Sequence, residues 1–524
     1  MKTKLSFLQL TVFLAFFLTK GALTAQENFL TDTSQLEVGQ ELKNGKKVKA
    51  IVYHFKERIQ DVTLDPKGEN IFITFRALSR NGKWLKNKGN ISLYSADFSQ
   101  LHWSKEIKFN QSNFRLNKGM ILQRSSRGSF AFNKQDGKEI WSVKNSLFYL
   151  LEEENVGFGY HTTTDVRKDG ILSGYNLKSG RKKWNRTIDP TYGWNEVLTL
   201  NDTTLLISAD GLYALNPKTG KGWEHQLKTG SKDHTAAAIG TGLGVIAGAL
   251  TGTYGIVSGA NIVRPLASNV LLDSTELYFA SKEKLSKLNT KGEVLWEVEQ
   301  DKKETSKSNI FLSNDSLFLI NYGYAYKERR KKQFGRAYMA CYHAASGELL
   351  YKAYLSEDKS QFISDWKQKG SQFLFSFEEA LLFFSSKRGK AIGQYQVDRT
   401  DYGKFLFFID DNVFLKRDSS FVCLNSLSDE HYYLYTDQNT VLEIDASLIV
   451  INQYKGDELY VSYQKEGNQQ LIFKDGESYV IDKQGKLLVK LNASKSAVLI
   501  DSVLYNKKEN SLHLIDLSDV LESN

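Results

Sequence analysis

Two cysteines and four prolines in 524 residues set the first limits on this chain. A single cysteine pair, Cys341 and Cys423, cannot staple a fold of this size, so apolar burial must hold it. So few prolines argue against long disordered linkers. The eight histidines show no spacing that would bring imidazoles to one metal ion. No Gly-x-Ser-x-Gly elbow is present, and no Gly-Lys-Ser/Thr closes a phosphate loop. The acids of "LEEEN", Leu151 to Asn155, suit a solvated hairpin tip. "DVTLDPKGEN" and "KDGIL" lack the alternating oxygen ligands of a calcium loop. What remains is a chain with 41% hydrophobic residues, including 26 Tyr and 31 Phe, able to build a large core.

Long apolar runs are also scarce. One begins the chain, "MKTKLSFLQLTVFLAFFLTKGALTAQE", with Lys2 and Lys4 ahead of an apolar run from Leu5 to Leu18. The run is too short to span a bilayer, and small residues lead to a cleavage point after Ala25. Residues 1–25 are therefore expected to be a signal peptide and the mature chain to be exported. No cysteine follows the run, which argues against a lipid anchor. Loss of Lys2, Lys4 and Lys20 lowers the formal charge by three, from +9 to +6. That excess suits acidic surfaces or glycans, and export argues against nucleic acid as a partner.

One pattern recurs along the rest of the chain: an alternating strand, a turn ending in Gly, then Trp or another large residue. "GLYALNPKTGKGWEHQL" (Gly211 to Leu227) is the clearest copy. Others run Ile91 to Ile107, Ser129 to Val143, Leu172 to Ile188, Lys284 to Val298 and Met339 to Leu355. Weaker ones are "LLFFSSKRGKAIGQYQV", "FVCLNSLSDEHYYLY" and "SYVIDKQGKLLVKL". Each reads as two strands joined by a turn needing a left-handed residue. Upstream of many copies lies a second apolar pair split at Asp202, Asp273, Asp315, Asp411 or Asp501, where a short side chain can bond the backbone two residues on. Two hairpins every ~40 residues predict an all-β fold: a single β-propeller of four-stranded antiparallel blades. A β-sandwich would not repeat with a fixed motif. About eight blades are expected, with seven to ten open. The predicted division is 1–25 signal peptide, 26–58 N-terminal segment and 59–524 propeller. A final unit, "SVLYNKKENSLHLIDLSD", lacks a fourth strand, and "KVKAIVYHF" (Lys47 to Phe55) is a candidate to supply it.

The units "LYALNPKTGKGW" and "LSGYNLKSGRKKW" resemble the tryptophan-docking repeats of the PQQ-binding-like (quinoprotein dehydrogenase-like) propeller superfamily, over roughly Gln60 to Asp516. The resemblance implies that turn Gly and Trp dock adjacent blades, so that Trp103, Trp141, Trp184, Trp223 and Trp296 are structural and not a cofactor stack. Tyr351 stands in the sixth Trp position. The superfamily holds calcium- and quinone-dependent dehydrogenases and also non-enzymatic members, such as the propeller lipoprotein of outer-membrane assembly. The vicinal cysteine pair expected of the dehydrogenases is absent here. Cys341 and Cys423 both align with Ala214 of the clear copy and read as small buried packers. No catalytic residue, metal site or cofactor is therefore expected.

Two features depart from the repeat. "TAAAIGTGLGVIAGALTGTYGIVSGANI", Thr235 to Ile262, holds seven glycines and no charge, with Gly240, Gly244, Gly248 and Gly252 at four-residue spacing. Trp223 and Trp296 are 73 residues apart, so residues 235–263 read as an insertion between two blades. Seven glycines cost a soluble helix about 1 kcal/mol each, a loss that close small-xxx-small packing would have to offset. A single membrane crossing would leave blades on both sides and the ring open. A hairpin or helix meeting a membrane or a second copy is expected, against an ordered soluble insertion over the propeller face or a disordered segment. The other feature is the basic run "YKERRKKQFGRAY", between the second and third strands of one unit. It carries Lys327, Arg329, Arg330, Lys331, Lys332 and Arg336 against Glu328 alone. It reads as a long solvated hairpin or as a dock for an acidic glycan, lipid headgroup or protein face. The expected function is an exported, non-enzymatic scaffold that binds protein or cell-envelope partners. A divergent PQQ-dependent oxidoreductase and a glycan-binding propeller are the alternatives.

Overall fold

The structure, a computed structural model, describes residues 28–41, 45, 47–65, 68–82, 85–109, 112–117, 119–162, 170–232, 262–327, 330–396, 399–409, 412–418, 420–424 and 431–522. Within them almost every element is a strand, because alternating apolar residues bury one face of each hairpin against the next. In blade 4, Glu196–Asn201, Thr204–Ser208, Gly211–Leu215 and Glu224–Gln226 pair in that order, and the two central strands carry most of the buried side chains.

Ten such blades can be traced among the described residues. The first nine cover 58–108, 113–143, 145–187, 196–226, 270–299, 308–354, 365–396, 405–455 and 459–491. The tenth takes three strands from 498–516 and its outermost from Lys47–Phe55, where Ala50 pairs with Ile515 and His54 with Ser511. The fold is the predicted propeller, at the upper end of the predicted range. Apolar clusters join each blade to the next. Val480 and Leu488 of blade 9 meet Leu504 and Ile515 of blade 10. Phe55 and Leu512 of blade 10 meet Ile59 and Ile71 of blade 1, so the ring closes on itself. Each such side chain contributes about 1.5–3 kcal/mol by leaving water. Leu30–Glu41 then lies along Lys47–Phe55 and reaches Val489–Leu491 at its end, covering the outer edges of blades 9 and 10.

One repeat copy was misplaced. "FVCLNSLSDEHYYLY" is not the outer half of a blade. Ser420–Cys423 pairs with Val413–Arg417 in a hairpin inserted between the first and second strands of blade 8, and this hairpin adds to Leu459–Glu466 of blade 9. His431–Thr436 is the second strand of blade 8. Asp411 lies outside the described residues, and the strands on either side of it, Phe405–Phe408 and Val413–Arg417, belong to different sheets. Cys423 lies half-buried in the hairpin, not in the position of Ala214, whereas Cys341 is buried in the third strand of blade 6. No disulfide joins them. The true outer half of blade 8 is 440–455, whose turn has Leu448 at φ 65° where most copies have glycine.

Candidate functional site

The docking tryptophans form one repeated contact. Trp103 donates its indole N–H to the Lys134 carbonyl (2.7 Å), Trp141 to Leu177 (2.7 Å) and Trp184 to Pro217 (2.6 Å). Trp223 donates to Thr290 (2.9 Å) and Trp296 to Ala344 (3.1 Å). The hydroxyl of Tyr351 does the same to Ser386 at 2.8 Å. Every acceptor lies in the turn between third and fourth strands of the following blade. The ring then rests on the glycine of that turn. A Cβ at Gly292 would stand 2.4 Å from Trp223, and one at Gly220 2.7 Å from Trp184. Both glycines have φ near +80° (+85° and +73°), which also disfavours a side chain.

In a four-stranded blade, the turn between strands two and three and the link to the next blade open on the same face of the ring. The glycine-rich insertion leaves from the link between blades 4 and 5, and the basic run from the inner turn of blade 6. Topology therefore brings the chain on either side of the insertion, and the basic run, to one face, here called the upper face. There they meet. Ser231–Lys232 pairs with Ile262–Arg264, which pairs with Tyr324–Lys327, which pairs with Arg330–Gln333. This accessory sheet is separate from the ten blades. Val263, Leu266 and Ala325 form its buried core with Phe334 against it. Arg264 ties it to the link between blades 3 and 4 through the Tyr192 carbonyl (3.1 Å). Lys331 donates to Ser364 and the side chain of Gln333 to Lys359, both at 3.0 Å, on the link between blades 6 and 7.

A sequence profile of the family described as outer membrane protein assembly factor BamB matches residues 84–246. The chain carries PQQ-like propeller repeats. BamB from Moraxella catarrhalis is similar in structure at 12% identity, covering 78% of this chain and 97% of that one, with a TM-score of 0.32. AztD from Citrobacter koseri, in its apo form, is similar at 7% identity, covering 82% and 95%, with a TM-score of 0.32. No curated protein matches the sequence.

Beyond the PQQ-like docks, the sequence-derived site residues divide as follows. Lys327, Arg330, Lys331 and Lys332 stand together on the accessory hairpin. Lys331 folds back over Tyr324, its Nζ 4.7 Å from the ring centre, and Arg330, Lys331 and Lys332 are all exposed. Arg336 leaves the group: its guanidinium stacks 3.6 Å above the ring of Tyr354 on blade 6. Arg329, and Gly240, Gly244, Gly248 and Gly252 with the helix or hairpin expected of them, lie outside the described residues, as do residues 1–25, expected to be a signal peptide. Under the hairpin, Lys307 is held below the usual lysine range by burial and by Lys331. Burial pushes the Tyr322 hydroxyl up to about 12. Among the described residues no cluster of three His, Cys, Asp or Glu could hold a metal ion, and no helix is long and apolar enough to cross a membrane.

The repeat register gave no sign of a second set of contacts, at the inner strands. Glu196 of blade 4 accepts from the Val270 N–H of blade 5 at 2.8 Å, and burial raises its pKa. Asn269 bonds both the N–H and the carbonyl of Ile310 in blade 6. Asp365 accepts from Phe408, and Gln464 bonds Leu499 in both directions. These side chains differ in type and in position within their strands, so no motif marks them. A carboxylate with a shifted pKa also lies near the accessory sheet: Asp210, in the upper turn of blade 4, accepts from the Tyr213 hydroxyl (2.7 Å). Burial pushes it up to about 6, with the charges of Asp189 and Glu224 adding to the rise.

Proposed function

We propose that this protein is an exported, non-enzymatic propeller that acts as a scaffold for a protein partner of the cell envelope. The observation that carries the proposal is the division of labour among its polar and aromatic residues. The repeated Trp, Tyr and Gly positions are spent on blade docking, while the upper face carries an additional sheet that ring closure does not require. The family match over 84–246 supports the same reading, since its description is that of an envelope assembly factor. A photo-crosslinking side chain at Ser360, on the upper face, should give one discrete adduct with an envelope protein. The same group at Ser179, in a turn on the opposite face, should give none. Absence of an adduct from Ser360, or equal adducts from both sites, would overturn the reading. The proposed lack of enzymatic activity is tested by titrating PQQ with calcium. Saturable binding coupled to dye reduction would replace the scaffold with an oxidoreductase.

A further inference from the structure

Resting on the scaffold reading above, we propose that the protein partner presents an acidic side chain to the upper face and that its carboxylate is received by Lys307, with Lys331 beside it. Lys307 stands at the upper rim of blade 6, where its N–H donates to the Tyr324 carbonyl and its carbonyl accepts from Tyr322, both at 2.9 Å. Its Nζ lies 5.9 Å from the ring centre of Tyr322 and 5.4 Å from that of Tyr326. Ladder register puts Tyr324, Tyr326 and Lys331 on one side of the accessory sheet, away from its core of Val263 and Ala325. Tyr324 stacks on Tyr322, meets Tyr326 edge-on and carries the Lys331 amine. Two amines thus border one row of tyrosines. Lys307, Tyr322 and Tyr326 are only half-buried, so the row stays in contact with solvent.

What this row lacks is an acid. Elsewhere in the fold a lysine over a tyrosine is completed by a carboxylate. Lys287 over Tyr278 pairs with Glu276 at 2.8 Å, Lys352 over Tyr338 with Glu304 at 2.6 Å, and Lys490 over Tyr479 with Glu477 at 2.7 Å. Among the described residues no carboxylate reaches Lys307, and burial together with Lys331 holds its amine below the usual lysine range. Asp365, whose charge reaches Lys331, gives its two oxygens to the N–H groups of Trp366 and Phe408, both at 2.8 Å. A half-buried ammonium without a counter-charge costs stability, and an incoming carboxylate removes that cost. The tyrosine rings also offer apolar surface to the methylene stem of Glu or Asp, which favours a peptide over an inorganic anion.

The test is calorimetric titration of the mature chain with a short Glu-Ser repeat peptide and with its Gln-Ser counterpart. Wild type should bind the first and not the second. Lys307→Met should weaken binding about tenfold or more, the loss of a charge-assisted hydrogen bond. Lys331→Gln should weaken it about threefold, because water screens that exposed amine. Lys182→Gln with Lys183→Gln, a larger charge loss on the outer strand of blade 3, should leave it unchanged. Lys307→Met should also keep or raise the melting temperature, since it removes a buried charge and keeps the apolar stem. A clearly lower one would show that the amine already has a counter-charge, and would overturn the proposal. So would failure of wild type to bind the Glu peptide, undiminished binding by Lys307→Met, or equal affinity for inorganic phosphate or phosphatidylglycerol vesicles. The peptide titration needs no partner, so it can fail while crosslinking from Ser360 succeeds, and the reverse.

Discussion

Trp223 donates its indole N–H to the Thr290 carbonyl at 2.9 Å, across 67 residues of chain that include the whole glycine-rich insertion. The same contact made by Trp184 to Pro217 spans 33 residues. The dock is therefore indifferent to what is inserted between two blades, provided the insertion leaves and returns at one place. Lys232 paired with Ile262 is that place.

Deleting Ala236 to Asn261, with a short Gly-Ser link in their place, should leave a cooperatively folding propeller. Urea unfolding should give a stability within about 1 kcal/mol of wild type, because loop shortening changes closure entropy only slowly. Loss of cooperativity would place the segment in the core.

The dock itself is expected to be worth several kcal/mol. Trp184→Ala removes a buried indole and should cost about 3–5 kcal/mol in urea unfolding. Trp184→Phe keeps a ring but strands the Pro217 carbonyl, at about 1–2 kcal/mol. Gly220→Ala should cost about 2 kcal/mol or more, from a positive φ and from collision with the indole. In the double variant Trp184→Ala with Gly220→Ala, the collision vanishes, so the two losses should sum to more than the double variant shows.

Closure predicts an asymmetry at the N-terminal segment. Removing residues 28–41 uncovers the edges of blades 9 and 10 but leaves every blade four-stranded. A folded, less stable protein is expected by circular dichroism and urea titration. Removing 28–55 also takes the last strand of blade 10 with Tyr53 and Phe55, and cooperative unfolding should be lost. Equal behaviour of the two truncations would contradict ring closure through Lys47–Phe55.

Asp210 gives the stability curve a defined slope. Its folded pKa, about 6, lies above the ordinary aspartate value of 3.8, so the folded state holds a proton that the unfolded state has released between those limits. Stability should fall as pH rises from about 4 to about 6 and stay lower above it. Asp210→Asn should remove that component and raise stability at pH 7 by about 1–2 kcal/mol, the full shift being discounted for partial solvent access. Melting curves across that range would show the flattening. An unchanged slope would mean that Asp210 ionises freely.

The blades were legible wherever a turn used glycine and a docking aromatic followed it. "NPKTGKGW" marks both because only glycine fits beneath the ring at positive φ. Blade 8 was not legible. Its outer turn has Leu448 in the left-handed position, and its first two strands are parted by the hairpin 413–423, so neither half of the motif survives. Blade 1 has Phe98 at φ 58° in the same role, yet Trp103 still marks it. The inner contacts of Glu196, Asn269, Asp365 and Gln464 had no signal at all. Each depends on the angle between neighbouring blades, which no single repeat encodes.

Local sequence by itself determined the repeating hairpins, the docking positions and the presence of an uncharged insertion and a basic run. Strand alternation and turn chemistry act over a few residues and can be read there. Tertiary structure alone decided that the described residues form ten blades and that the chain on either side of the insertion, Ser231–Lys232 and Ile262–Arg264, shares one sheet with the basic run. Val263 and Lys327 are paired although 64 residues separate them, because antiparallel connectivity opens both segments on the same face and the ladder between them satisfies their backbone groups.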